Sequence, residues 1–132
     1  MKQVAAAIAR QGDRVLVTRR APGQHLAGFW EFPGGKLEEG ETAQTCIVRE
    51  LREELGVGCH ARDVIAESLH EYVGGAINLI AIAVDLADTT FSLTVHDEAR
   101  FVTPSELLTM QLAPADIPIA ERLRTHLIAS EQ

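Results

Sequence analysis

Apolar residues recur along the first third of the chain in short runs that are typical of β-strands. Residues 4–9 and 15–18 form two such runs, and the polar segment at residues 11–13 between them, which contains Gly12, favours a turn. Residues 30–32 form a third run, which ends at Pro33. The pattern predicts two strands joined by a turn, a loop of small residues, and a short extended piece.

Between residues 42 and 55 the apolar positions change to helical spacing. One face of such a helix is apolar enough to dock on a sheet, and its side chains are Ile47, Val48, Leu51 and Leu55. Gly56 follows directly, and glycine is favoured just past a helix end. Gly34 and Gly35 permit a tight approach of the backbone before the helix. The segment therefore predicts a turn followed by an amphipathic helix.

The second half of the chain predicts further strands and two helices. Residues 64–73 and 76–86 flank Gly74-Gly75, a dipeptide that closes tight hairpins. The remaining predictions are a strand at residues 99–102, a short helix at 104–108 and a terminal helix at 117–128. This irregular alternation predicts an α+β protein, with a mixed sheet covered by helices on both faces.

Length and charge narrow the class of protein. A chain of 132 residues fits one domain, and no linker or repeat divides residues 1–132. The net charge of −7 argues against binding to a nucleic acid polymer, which requires Lys and Arg to neutralise phosphates. A nucleotide bound together with its metal ion remains compatible with that charge. No obligate protein partner is evident from the sequence.

The apolar segments are too short for a signal peptide or a membrane span, so we expect a cytoplasmic protein that does not bind a membrane. Cys46 and Cys59 are too few and too poorly spaced for a metal site, and we interpret them as reduced thiols.

Three carboxylates of the predicted helix share one side. Glu50, Glu53 and Glu54 are spaced at i, i+3 and i+4, which brings them onto one face. Like charges this close destabilise a helix unless a cation lies beside them, and such oxygen-rich clusters suit Mg²⁺, which often shares substrate phosphate oxygens. The alternative is an exposed acidic helix face without a ligand.

The surrounding residues carry a resemblance to a known family. The segment from Gly35 to Val57 resembles a complete Nudix box. It reads Gly35, five residues, Glu41, seven residues, Arg49-Glu50-Leu51, one residue, Glu53-Glu54, one residue and Gly56-Val57. Beyond the box, the chain resembles MutT-type nucleoside triphosphate pyrophosphohydrolases through TRRA at residues 18–21 and EFPGGK at 31–36. The segment LAPADIP at 112–118 is most similar to the CTP pyrophosphohydrolase branch.

This resemblance implies an α/β/α sandwich that hydrolyses a nucleoside triphosphate to the monophosphate and pyrophosphate, with Mg²⁺ or Mn²⁺ as cofactor. It implies metal binding by the Gly34 carbonyl and by Glu50, Glu53 and Glu54. Any of these glutamates could also act as general base, Glu53 among them, and the sequence does not separate the two roles. Arg49 is expected to orient Glu41 through a bidentate guanidinium.

Other residues are implied on the substrate side, each with a structural alternative. Arg20 and Lys36 are candidates for phosphate contacts or are ordinary surface charges. His70 matches a substrate-side position of the CTP-hydrolysing branch, although a lone histidine on a strand can be purely structural. Val95 stands where many MutT-type enzymes have a further acid, which Asp97 or Glu98 could replace from a polar loop at residues 96–100.

Asp116 matches the position that reads the base. An ionised aspartate only accepts hydrogen bonds, so we expect preference for an exocyclic amine such as cytosine N4 over guanine O6. Phe32 and Leu112 are candidates for apolar contact with the base. Asp116 would also serve as the N-cap of the helix that begins at Ile117.

Two other functions are compatible with the box. One is hydrolysis of a different nucleoside diphosphate derivative, such as a nucleotide sugar or a dinucleoside polyphosphate, to which Tyr72 is a weak pointer. The other is a non-catalytic Nudix-like module that binds a nucleotide, against which the intact glutamates argue.

Overall fold

The structure is a computed structural model that describes the backbone of residues 1–130 and the side chains of residues 1–125. Its strands are β1 (Lys2–Gln11), β2 (Arg14–Arg20), β3 (Trp30–Glu31), β4 (Gly34–Lys36), β5 (Cys59–Tyr72), β6 (Gly75–Leu86) and β7 (His96–Val102). Its α-helices are α1 (Ala43–Leu55), α2 (Pro104–Leu107) and α3 (Ile117–Ser130), and a 3-10 turn (Pro114–Asp116) precedes α3.

The seven strands form one mixed sheet around β1. The main path runs β3-β2-β1-β6-β5, while β4 pairs with β1 and β7 pairs with β2. Strands β1 and β6 are parallel, and the other pairs are antiparallel. A parallel pair needs a long crossover, and here it contains α1. The topology therefore places α1 against the sheet, next to β4.

Alternation along β1 divides the core into two layers. Ala5, Ala7 and Ala9 face the buried side of α1, whereas Ala6 and Ile8 face α2 and α3. The small alanines allow the helix to approach the sheet closely. The predicted α+β class, with a mixed sheet between helices, is confirmed.

Helix α1 forms where its local sequence favours it. Thr42 is the N-cap, its hydroxyl accepts from the Thr45 N–H, and Gly56 ends the helix in the left-handed conformation at φ 68°. The buried side chains are Cys46, Ile47, Leu51 and Leu55. Val48, predicted on this face, is only half-buried, whereas Cys46, not predicted on it, is buried.

The largest differences from the sequence-based strand boundaries are at the starts of β5 and β7. Strand β5 begins at Cys59 rather than at residue 64, because it is an edge strand whose first residues pair with the end of β6 despite their polarity. The expectation of a polar loop at residues 96–100 is wrong, because His96 begins β7 and pairs with β2. Among the residues that the structure describes, no helix is long and apolar enough to cross a membrane.

Candidate active site

Two glycines connect β4 to the glutamate face of α1. A Cβ atom on Gly34 would overlap the carbonyl oxygen of Ala5, and one on Gly35 would overlap the Glu50 carboxylate. Only glycine therefore lets β4 pair with β1 while the helix brings Glu50 against its backbone. The expectation of a turn at these two glycines is wrong, because both pair with β1 as part of β4.

Arg49 is the centre of the ion pairs on this face. Its Nε and Nη2 donate to the two carboxylate oxygens of Glu41 at 2.8 and 2.9 Å, a bidentate pair. Its Nη1 donates to Glu50 at 2.8 Å and to Glu53 at 3.2 Å. The guanidinium lowers the pKa of Glu41 to about 2, helped by the Glu38 N–H. The predicted pairing of Arg49 with Glu41 is present in the structure.

The three candidate metal ligands differ in exposure. The Glu53 side chain is 59% exposed, whereas that of Glu50 is 15% exposed. Burial raises the pKa of Glu50, and it raises the pKa of Glu54 to about 8, with the charges of Glu50 and Glu31 adding to the latter shift. One Glu54 oxygen is buried without a hydrogen-bond partner among the described residues. The glutamate face therefore contains a largely buried carboxylate, that of Glu54, and a solvent-exposed one, that of Glu53.

The donors on this face suit a hard divalent cation. Carboxylate and carbonyl oxygens are the ligands that Mg²⁺ and Mn²⁺ prefer, and a buried carboxylate oxygen without a donor is stabilised by a cation. Within residues 1–125, no three acidic, histidine or cysteine side chains are placed as a ready-made metal site. Arg49 Nη1 contacts one oxygen of Glu50 and one of Glu53, so the second oxygen of each carboxylate has no contact with this guanidinium.

A separate cleft of about 600 Å³ lies at the opposite end of β5 from its start. The loop between β2 and β3, the end of β5 and the segment before α3 contribute its walls, with lining residues that include Lys2, His25, Leu26, His70, Tyr72 and Ala115. The His70 and Tyr72 rings stack with centroids 6.3 Å apart. The structure therefore places His70 in a cavity of a size typical for small-molecule sites.

Asp116 directly follows Ala115, which lines the cleft, and is 6% exposed. Its Oδ2 accepts from the Phe32 N–H at 2.8 Å, so the described bond of the carboxylate joins it to the residue after β3 and does not cap α3. Burial raises the pKa of Asp116 to about 8. The expected preference for cytosine N4 assumes an ionised carboxyl, whereas this burial favours the neutral form, which can also donate.

Arg20, Phe32 and Lys36 have surroundings that sequence reasoning did not foresee. The Arg20 guanidinium already donates to the His25 carbonyl at 2.6 Å and to Glu31 at 3.0 Å. The Phe32 ring is 3% exposed and packs in the core, as does Leu112 at 6%. Lys36 is exposed, and its carbonyl accepts from Arg49. Contacts of these side chains with a substrate remain predictions.

Neither Asp97 nor Glu98, the two candidates for the additional acid, lies on the glutamate face. The Asp97 and Glu98 carboxylates pair with Arg19, which lies over Trp30 on the sheet face that packs against α2 and α3. Val95 lies near the end of α1, because the adjacent Thr94 donates to the carbonyl of Glu53. The site therefore has an apolar side chain where many MutT-type enzymes have an acid.

Glu31 and His96 are functional candidates that sequence reasoning missed. Glu31 Oε2 lies 3.0 Å from Arg20 Nη1 and 2.9 Å from His96 Nε2. Glu31 belongs to the EFPGGK segment, so that motif contained the available signal. No sequence signal marked His96, because its burial follows from the pairing of β7 with β2.

Comparison with known proteins defines the class. The NUDIX domain family model matches residues 1–123, and the chain belongs to this family. Together with its relatives, this identifies a hydrolase that acts on phosphoric anhydrides.

The chain is similar to the CTP pyrophosphohydrolase of Escherichia coli K12, with 38% identity over 121 residues that cover 92% of this chain and 90% of the relative. It is 48% identical to the 8-oxo-dGTP diphosphatase of the same organism over 56 residues, 42% of this chain and 43% of that protein. The solution structure of the E. coli ORF135 protein superposes with a TM-score of 0.78 at 37% identity, covering 92% of this chain and 86% of that one.

Proposed function

We propose that this enzyme hydrolyses nucleoside or deoxynucleoside triphosphates to the monophosphate and pyrophosphate, with preference for cytidine-type or modified nucleotides. The observation that carries the proposal is the face of α1, where Arg49 organises Glu41, Glu50 and Glu53 beside the buried Glu54. A relative that covers most of the chain is named for CTP, and another is named for 8-oxo-dGTP. Removal of such nucleotides limits their incorporation into nucleic acid.

The proposed cofactor is Mg²⁺ or Mn²⁺, held by the Gly34 carbonyl and by Glu50, Glu53 and Glu54. When bound, the metal ion would neutralise phosphate charge and lower the pKa of a bound water. The protein contributes the orientation of these carboxylates. Arg49 keeps Glu41 ionised and fixed, and Glu53, the most exposed of the three acids, is accessible to a water molecule that needs a base.

The 600 Å³ cleft is the proposed site for the base. Its neighbour Asp116 keeps one oxygen on the Phe32 N–H, and its other oxygen is the candidate to face the base. The neutral carboxyl can both donate and accept, whereas the ionised form only accepts. We infer that discrimination against guanine O6 is weak below about pH 8 and becomes stronger as Asp116 ionises.

Hydrolysis of dinucleoside polyphosphates is a second candidate, because Tyr72 is 42% exposed and lines the cleft beside His70. The expected cytoplasmic location agrees with the two free cysteines, Cys46 and Cys59.

The test is a substrate panel with purified protein, Mg²⁺, every common NTP and dNTP, 5-hydroxy-CTP, 8-oxo-dGTP and a dinucleoside tetraphosphate. We expect pyrophosphate release that is fastest with a cytosine nucleotide. Absence of pyrophosphate with every triphosphate would contradict the proposal. A fastest reaction with the dinucleotide would select the second candidate.

A further inference from the structure

His96 is a buried histidine outside the glutamate face of α1. It begins β7, and its side chain is 0% exposed. Its Nε2 lies 2.9 Å from Glu31 Oε2, and its Nδ1 has no hydrogen-bond partner among the described residues. The only described polar contact of this ring is therefore the one with Glu31.

A β-bulge brings His96 to this position. Arg19 pairs with Glu98, but Arg20 pairs with His96, so Asp97 is the extra residue of β7. Partners across an antiparallel pair project to the same face, and His96 therefore lies on the face of Arg20. A regular register would pair Asp97 with Arg20 instead. The bulge replaces an acid with an imidazole beside Glu31 and leaves Asp97 to pair with Arg19.

Glu31 also connects to the loop that borders the cleft. The same oxygen, Oε2, accepts from Arg20 Nη1 at 3.0 Å, and Arg20 Nε donates to the His25 carbonyl at 2.6 Å. His25 and Leu26 line the cleft. Loss of the His96 bond would leave Glu31 with one fewer donor and loosen the anchor of this loop.

The backbone after Glu31 serves both parts of the site. The next residue, Phe32, donates its N–H to Asp116, and Gly34 lies two residues further along. Glu31 pairs with Thr18 and therefore lies on the same sheet face as Leu16, which packs against α1. Glu31 thus stands between the glutamate face and the cleft.

We propose that His96 is a positioning residue, which together with Arg20 holds the Glu31 carboxylate at the junction of the glutamate face and the base cleft. The kinetic consequence rests on the proposed triphosphate hydrolysis, whereas the hydrogen bond itself does not. His96 acts through Glu31 and does not touch the substrate.

The test compares His96→Leu, His96→Gln, Glu31→Gln and the double variant Glu31→Gln/His96→Leu. We expect His96→Leu to lower kcat/KM for the best triphosphate about tenfold or more, and His96→Gln, whose amide can donate to Glu31, to stay within about threefold of the wild type. The double variant should match Glu31→Gln within about twofold, because the two residues act as a unit. His60→Leu, at an exposed histidine without a described hydrogen bond, is the matched control.

Several results would overturn the proposal: full activity of His96→Leu, an equal loss with His96→Gln, or a double variant whose loss is the product of the single losses. A measurement independent of activity uses the ¹⁵N-labelled histidine ring. We expect a hydrogen on Nε2 of His96, since only that atom can donate to Glu31. The Nδ1–H tautomer would overturn the proposal even in a protein that hydrolyses no triphosphate, and a wild type without activity would contradict the proposed function alone.

Discussion

The glutamate face of α1 and the base cleft are built in different ways. The face comes from one continuous segment, in which helical spacing aligns Glu50, Glu53 and Glu54, and Arg49 of the same helix binds the first two of these carboxylates. The cleft instead collects residues from the start of β1, the β2–β3 loop, the β5–β6 hairpin and the segment before α3. The proposed reaction site is local in sequence, whereas the proposed site for the base depends on how distant segments pack.

The largest expected effect is the loss of kcat when Glu53 on the glutamate face is replaced. Glu53→Gln keeps the size of the side chain but removes a charge, and we expect kcat to fall by roughly two orders of magnitude or more. The fold should persist, because this side chain is 59% exposed. Steady-state kinetics and circular dichroism provide the measurement, with Glu39→Gln, an exposed glutamate of the preceding loop, as control. Unchanged turnover of Glu53→Gln would remove Glu53 from the site.

Arg49→Lys should have the next largest effect. Lysine keeps the positive charge but cannot make the bidentate pair with Glu41 while also holding Glu50. We expect kcat/KM to fall by about ten- to a hundredfold, measured against Arg52→Lys, the same change at an exposed arginine of the helix. Equal activity of the two variants would show that the fork geometry of Arg49 is dispensable.

Asp116→Asn tests the cleft, and its effect on the preference for CTP over GTP should depend on pH. Below the pKa of about 8, asparagine and the neutral carboxyl have similar donors and acceptors, so the preference for CTP over GTP should change little at pH 6.5. At pH 9 the wild type is ionised, and the substitution should lower this preference about tenfold. An identical change at both pH values would show that ionisation of Asp116 does not affect base selection.

The smallest expected effect is on stability. Glu54 and Asp116 have pKa values raised to about 8, so the metal-free folded state holds protons that the unfolded state has released above about pH 4 to 5. Stability should therefore decrease as the pH rises from 5 to 8 and level off above. Thermal melting in EDTA measures this, and Asp116→Asn should reduce the slope. A melting temperature that increases over this range would contradict both shifted values.

Local patterns explain which parts of the molecule were predictable. The capped, amphipathic α1 and the alternation of β1 are encoded in neighbouring residues, and the predicted helix at residues 42–55 agrees with Ala43–Leu55. The start of β5 and the bulge at Asp97 depend on partner strands, which no local pattern reveals. The neutral state of Asp116 likewise follows from burial by distant segments.

Strand pairing also determines on which face of the sheet the acids of β7 lie. Asp97 and Glu98 are close to Val95 along the chain, but both pair with Arg19 on the opposite face from α1. Glu98 lies across the strand pair from Arg19, and the bulge allows Asp97 to reach the same guanidinium. The same pairing buried His96 against Glu31. Which acid is available to the site is therefore a property of register rather than of proximity along the chain.

The central claim is that the glutamate face of α1 supports hydrolysis of the anhydride bond between the α and β phosphates of a nucleoside triphosphate. Phosphorus NMR of CTP with the purified protein and Mg²⁺ tests it directly. The account predicts CMP and pyrophosphate in equal amounts, with the reaction stopped by EDTA and nearly absent in Glu53→Gln. Formation of CDP and inorganic phosphate, or CTP that stays intact along with every other triphosphate, would contradict it.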